Sequence, residues 1–450
     1  MVNRRQFLLG STALAFAGLS YSVMSGVRLQ PEFYKGLYSD PKGLFDLPEG
    51  FTYRVISELG QVMTDGMEVP DRADGMGCIA LDEHRIALIR NHELHPKHLS
   101  KQPQSWQTYR TAKAYDVLSD GVAIPGGTTT IIYNTQTGKI EREFVSLTGT
   151  IRNCAGGVTP WGTWLSCEET VIRAEDGFSR DHGYIFEVPA SAEEPVTPIP
   201  LKDMGRFNHE AASVDPHTGY VYLTEDRHDS LFYRFIPNEY GNLAAGGQLQ
   251  ALVIKDQPQF DTRNWKTDKM PLSSEYRVEW INISGPESPN DDLRYQGYAK
   301  GAAVFARGEG IHWGDGECYF CCTNGGAKKY GQIMRYTPSA KHPEQGVLQL
   351  IFESHDKDLY EFGDNLTVTP QGHLLVCEDK SGDANDNHLR WITPDGHVSP
   401  FARLNLETEL AGACFAPDGN TLFVNVYSPT KTLAITGPWA EFLNTSRQVD

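Results

Sequence analysis

Four hairpin turns sharing one proline-glycine signature constrain this chain more than any other feature. They are Val158-Thr159-Pro160-Trp161-Gly162, Val214-Asp215-Pro216-His217-Thr218-Gly219, Val368-Thr369-Pro370-Gln371-Gly372 and Phe415-Ala416-Pro417-Asp418-Gly419. Proline presets the backbone entering a tight turn, and glycine supplies the left-handed angles that close it. Each turn leads into a short apolar strand, over 163–167, 220–224, 373–377 and 420–424. Two looser hairpins centre on Asp82-Glu83-His84 and Gly314-Asp315-Gly316, and companion strands fall between them, as at 129–133, 231–236 and 389–392. Small sheets that recur and cannot bury themselves alone predict an all-β fold, a β-propeller of about six blades with loop and short helical insertions. A large β-sandwich is the rival architecture, but it does not require the same hairpin to recur. Residues 26–75 read as a turn-rich approach segment, and the stretches at roughly 95–128, 238–300 and 339–360 as loops decorating one face.

Among 450 residues, 43 glycines, 26 prolines and 11 % aromatics suit many short strands joined by tight turns. A formal charge of -18 argues against a nucleic-acid partner, whose phosphates call for basic residues, and is compatible with multivalent cations. Asn3-Arg4-Arg5-Gln6-Phe7-Leu8-Leu9, followed by an apolar run to about Met24, reads as a twin-arginine export signal over residues 1–25. The expected product is one domain over 26–450, periplasmic or secreted, delivered by the twin-arginine translocation machinery and monomeric. Spacing alone pairs none of the eight cysteines. Cys318-Tyr319-Phe320-Cys321-Cys322 lacks the second half of a metal knuckle and reads as apolar strand filling.

Chemistry enters through the register. Six residues after the turn glycine stand Glu168, Glu225, Glu378 and Asn425, with Cys322 after Gly316. Six residues before the turn proline stand Cys154, Glu210, Asp364 and Ala411. In a propeller, equivalent ends of the innermost strands converge on the axis, so both sets are expected there. Glu93, Glu169, Asp226, Asp379, His209, Asn365, Asn91 and His92 thicken the cluster. Crowded carboxylates repel unless protonated or neutralised by cations. Hard oxygen donors suit calcium, and one thiolate among them suits iron or zinc. The structural alternative has these acids capping strands and pairing with Arg90, Arg227 or Lys380. Cys154 as a nucleophile assisted by His209 or His92 is a second functional reading, weakened because surrounding carboxylates raise the thiol pKa.

Arg90-Asn91-His92-Glu93, Asn153 to Glu169, Gly205 to Ala212, Tyr222 to Arg227, Gly363 to Leu366, Val376 to Asp379 and Ala411 to Trp439 with its Thr436-Gly437-Pro438-Trp439 resemble the calcium- and iron-dependent alkaline phosphatases called PhoX. That resemblance spans most of the chain after the leader. It implies an axial cluster of Ca2+ and Fe3+ that cleaves phosphomonoesters outside the cytoplasm. By motif, Cys154 is similar to the iron-ligating cysteine and Glu210 to a carboxylate sharing the iron. Glu93, Glu168, Glu169, Glu225, Asp364 and Glu378 are the remaining candidate ligands. The chain is shorter than the best-known members, which leaves the preferred ester open. A multi-metal cluster supplies Lewis acidity and an oxygen nucleophile, without a phosphorylated serine or threonine. Arg227 and Lys300 are the candidate catalytic cations for gripping phosphate oxygens. The rivals are a calcium-dependent propeller lactonase or esterase, using Asn365 and Asn425 but needing no thiolate, and a non-catalytic binding propeller.

Overall fold

A computed structural model describes residues 36–380, 386–394 and 396–444, so the export signal expected at 1–25 lies outside the described residues. The turn glycines Gly162, Gly219, Gly372 and Gly419 all take positive φ, between 71° and 85°, as hairpin closure requires. Each hairpin they close is the inner half of a small antiparallel sheet. The innermost strands are Ala73–Ala80, Asn153–Val158, His209–Val214, Gly308–Trp313, Gly363–Val368 and Leu410–Phe415. They pack side by side in a closed ring, the last against the first. The fold is therefore a β-propeller with six innermost strands, although hydrogen bonding joins its strands into five sheets. The central strand of the nine-stranded sheet, Glu275–Asn282, bridges the outer strands Gly247–Ile254 and Gly346–Glu353 of the third and fourth blades.

Ring closure uses the N-terminal segment. Thr52–Glu58 forms the outer strand of the last blade against Lys431–Thr436, from Thr52 opposite Thr436 to Glu58 opposite Lys431. Phe45–Pro48 extends the fifth blade beyond Val398–Leu404. The approach segment thus carries strands that its sequence hides, because Phe45–Pro48 spans only four residues and Thr52–Glu58 is only partly buried, so its apolar alternation is weak. The insertions read at 238–300 and 339–360 contain the blade strands Gly247–Ile254 and Gly346–Glu353. The stretch at 95–128 does hold short helical pieces, Pro96–Lys101 and Gln104–Gln107.

Apolar side chains fill the wedges between blades. Trp391, Phe401, Leu422 and Ile435 form one such wedge, sealed by Phe51, Trp439 and Phe442. Cys318, Phe320 and Cys322 face one wedge while Tyr319 and Cys321 face the next, so this run is strand filling. All eight cysteines are free thiols. Among the described residues, no helix is long and apolar enough to cross a membrane.

Candidate metal centre

The innermost strands share a defect. In each, the ladder to the second strand breaks after one of the first residues, between Ala73/Met76, Asn153/Gly156, His209/Ala212, Gly308/Ile311, Gly363/Leu366 and Ala411/Cys414. A bulge releases residues from pairing and re-aims their side chains. The first released residues are Asp74, Cys154, Glu210, Glu309, Asp364 and Gly412. Five of six blades therefore present an acid or thiol at one position of the axial mouth, and the last presents glycine. In the last blade the bulge sits one residue nearer the turn, so Gly412 rather than Ala411 occupies the ring. Behind every one of these positions except Asp364, which Asn365 follows, comes a glycine or alanine, and neighbouring strands nearly touch there. A Cβ on Gly75 would lie 2.5 Å from the Cα of Ala155, and one on Gly310 would lie 2.6 Å from the Cα of Asn365.

Two sets of ligand atoms lie within 4.8 Å of one another: Cys154 with Glu169 and Glu210, and Glu210 with Glu309 and Asp364. Glu210 belongs to both, so the ring is one site rather than two. Glu93, Glu169, Asp226 and Asp379 approach from the ends of the second strands, and Glu409 precedes the last inner strand. Burial raises Asp74, Glu210 and Glu309 well above the usual carboxylate range, and repulsion from neighbouring acids adds to it. Burial likewise pushes Glu169 up to about 8, Arg152 opposing and Asp226 and Glu93 adding. Asp364 also rises to about 8, through burial and then Asp379. Among the described residues, nine carboxylates face three guanidiniums. Arg152 pairs with Glu169 and, through Nε at 2.7 Å, with Glu93. Arg307 holds Asp226 at 2.6 Å and Glu309 at 3.0 Å, and Arg72 reaches Tyr427, whose hydroxyl donates to Glu93.

Each of these arginines stands immediately before an inner strand with φ between 50° and 59°. Non-glycine residues reach this left-handed region at a cost of about 1–3 kcal/mol, and such residues cluster at functional sites. The sequence carries a signal for them that the turn-based count missed: arginine two residues before the ring ligand, as Arg72-Ala73-Asp74, Arg152-Asn153-Cys154 and Arg307-Gly308-Glu309. Glu309 escaped for a related reason, since the hairpin of its blade lacks the proline from which the count starts.

The other register behaves differently. Glu168 accepts from His182 Nδ1 at 2.6 Å and from the backbone N–H groups of Ile151, Gly183 and Tyr184. Glu225 accepts from Tyr233 at 2.9 Å and lies 3.6 Å from Arg294; burial lifts it to about 7 against that guanidinium. Glu378 is held by Arg390 at 2.8 Å, His388 at 3.1 Å and Lys380 at 3.4 Å. Burial alone would raise Glu378, but these partners outweigh it and hold it below its ordinary value. These three acids do not join either close ligand set. Along a strand successive side chains point to opposite faces, so Glu168 turns between blades while Glu169 reaches the mouth.

Cys154 is buried and its thiol donates to the carbonyl of His209 at 3.2 Å. Burial, then Glu210 and Glu169, pushes it well up. Neither histidine forms a dyad with it: His92 is bound through both ring nitrogens to Asp71 and Thr129, and His209 faces Gly205 and Phe207. Asn365 accepts from Gly412 N–H and donates to Asp364, and Asn425 donates to Asp74 O and accepts from the Thr432 hydroxyl. Arg227 lies at the rim, bonded to Asn208 and Asp291, and its carbonyl accepts from Arg307 N–H. Lys300 is exposed and donates to the carbonyl of Asn282, on the strand outside the third blade. Lys300 thus lies away from the mouth, whereas Arg152 and Arg307 pair with its acids. Oxygen donors in excess of local positive charge fit calcium, and the Cys154, Glu169 and Glu210 set fits a transition metal such as iron.

A solved structure of PhoX from Pseudomonas fluorescens in complex with vanadate, a transition state analogue, matches with TM-score 0.69 at 18 % identity, covering 88 % of this chain and 96 % of that one. A gluconolactonase from Xanthomonas campestris matches with TM-score 0.38 at 10 % identity, over 82 % and 97 % of the two chains. No curated protein sequence matches. The family model described as alkaline phosphatase PhoX matches residues 33–430. The chain, from before its first strand to its last blade, belongs to the alkaline phosphatase PhoX family.

Proposed function

We infer that the protein is an alkaline phosphatase that hydrolyses phosphomonoesters at the axial mouth, holding calcium and iron among the ring acids, after export by the twin-arginine route. One observation carries the reading: five of six bulges aim a carboxylate or thiol at one point where local cations are too few. Cys154, Glu169 and Glu210 are the residues that would hold iron. Glu309, Asp364, Asp74 and the flanking Glu93, Asp226, Asp379 and Glu409 offer the oxygen donors that calcium prefers. When bound, such ions supply Lewis acidity toward phosphoryl oxygens and activate a water-derived nucleophile.

The chain's own residues do the rest. Arg152 and Arg307 are each fixed by two carboxylates and stand ready to orient a phosphate dianion by charge-assisted hydrogen bonds. Arg227 extends this cationic rim. Cys154, its proton held tightly by burial, acts as a ligand and not as the attacking group. The twin-arginine start supports export to the periplasm or beyond.

The test is direct. Purified protein is assayed for iron and calcium and for hydrolysis of an aryl phosphate and a lactone at alkaline pH, with and without chelator. Iron-bearing protein with chelator-sensitive phosphate release is expected; iron-free protein that opens only the lactone would sink the reading.

A further inference from the structure

Behind the acid ring the axis widens into a cavity of about 300 Å³, walled by the innermost strands and including Met76, Cys78, Trp164, Trp313, Cys414 and Phe415. Two of these wall residues are cysteines, and they come from the blades on either side of the ring's seam. Cys78 lies on Ala73–Ala80 of the first blade and Cys414 on Leu410–Phe415 of the last. The two strands run the same way along the axis in tight register. A Cβ on Gly412 would lie 2.6 Å from Asp74 O and 2.7 Å from Met76 N. Two residues further along each strand, Cys414 comes opposite Cys78, and both pack with Met76 and Phe423. Cys78 is half-buried and Cys414 is 8 % exposed, so the cavity leads to the pair. The Cys78 thiol is pushed up first by its hydrogen bond with Cys414 and then by burial, as expected of two thiols in contact. The other cysteines of the core, such as Cys321 and Cys377, sit in closed apolar wedges.

We propose that Cys78 and Cys414 are a redox site, forming a disulfide across the seam between the first and last blades by exchange with a small-molecule disulfide. The Cys78 thiolate attacks one sulfur of the oxidant, whose other sulfur leaves and takes up a proton. Cys414, deprotonated in turn, then attacks the Cys78 sulfur of the mixed disulfide and expels the second small thiol. Two electrons pass from the protein sulfurs to the oxidant, which ends as two thiols carrying both protons. The bond ties the start of the ring to its end, so it restrains the unfolded chain over nearly the whole domain. The partly exposed Cys78 takes the first step, and the more buried Cys414 resolves it.

Full-length protein, purified reduced and then incubated with oxidised glutathione, tests this by thiol titration in denaturant, peptide mapping and thermal unfolding. The count of titratable thiols is expected to fall from eight to six, with one cross-linked peptide pair, Cys78 to Cys414. The unfolding midpoint should rise by several degrees, and reductant should reverse both changes. Cys414→Ser should trap glutathione on Cys78, whereas Cys78→Ser should form neither cross-link nor adduct at Cys414. Folded wild-type protein that keeps all its thiols, or a glutathione adduct on Cys78 that Cys414 never displaces, would overturn the proposal. A cross-link between other cysteines would overturn it equally.

Discussion

Two sets of buried carboxylates meet the same hairpins with opposite outcomes. Glu168, Glu225 and Glu378 lie on second strands and are fully buried, yet each has partners of its own: His182, Arg294 with Tyr233, and Arg390 with Lys380. Glu210, Glu309 and Asp364 lie in inner-strand bulges, and their nearest charged neighbours are mostly other acids. Burial is common to both sets. What separates them is the supply of positive charge within the fold. A carboxylate whose cation is a side chain stabilises the protein as it stands, whereas one left facing its own kind is built for a cation from outside.

The sharpest way to break this comparison is to remove the thiol. Cys154→Ala should lower phosphate release by about 10³-fold or more, the scale on which loss of a charge-stabilising group acts. Iron should be lost with activity while the unfolding midpoint of metal-free protein barely moves. Iron content and aryl phosphate turnover measured on one sample decide it, and an active variant that still holds iron would reassign Cys154.

Glu378→Gln tests the other set. It strands Arg390 and Lys380 without a buried counter-charge, which costs about 3 kcal/mol in global stability. Denaturant unfolding should register that loss, while metal content and turnover per folded molecule stay near wild type. Loss of metal at unchanged stability would place Glu378 among the ligands after all.

The repeat, the propeller and half of the centre were legible in the sequence because a turn proline and a turn glycine are local signals. Counting back from the proline reaches Cys154, Glu210 and Asp364, each on an inner strand. Counting on from the glycine reaches residues one position short of the mouth, since strand parity turns Glu168, Glu225 and Glu378 away and brings Glu169, Asp226 and Asp379 in. Bulges are the harder part. They depend on how neighbouring blades crowd at Gly75, Gly310 and Gly412, which no spacing within one hairpin records. Glu409 and Arg72 reach the site through loops before an inner strand, so no turn count leads to them.

Titration separates Glu378 from the mouth acids in a single sample. Glu169 and Asp364 stand near 8 in the folded protein, against ordinary values of 4.5 and 3.8. The folded state therefore binds protons that the unfolded chain has already released. In chelator-stripped protein the contribution of these two acids to stability is complete below about pH 4 and is lost as pH rises toward 8, by roughly 2 kcal/mol or more over that window. Bound cations replace those protons, so metal-loaded protein should lose most of the slope. Glu378, held below its ordinary value, works in the other direction: its contribution is lost only as pH falls through its folded pKa. Melting curves across that range, with and without chelator, read the difference, and equal slopes would remove the distinction between the sets.

The smallest effects concern the cations. Arg227 has a side chain one-third exposed and stands next to Asp226, sharing a backbone hydrogen bond with Arg307. Arg227→Ala should lower kcat/KM for an aryl phosphate about tenfold, as expected for one charge-assisted hydrogen bond of about 1.5 kcal/mol. Lys300 is tied to the carbonyl of Asn282 at 3.0 Å on the outer face of the third blade. An exposed interaction of that kind contributes about 0–1 kcal/mol, so Lys300→Ala should change kcat/KM less than about twofold. The pair tests geometry rather than charge, because both changes remove one positive charge from a protein of net charge -18. Equal losses from the two variants, abolished together at high salt, would mean that long-range attraction of the dianion and not contact at the rim sets the rate.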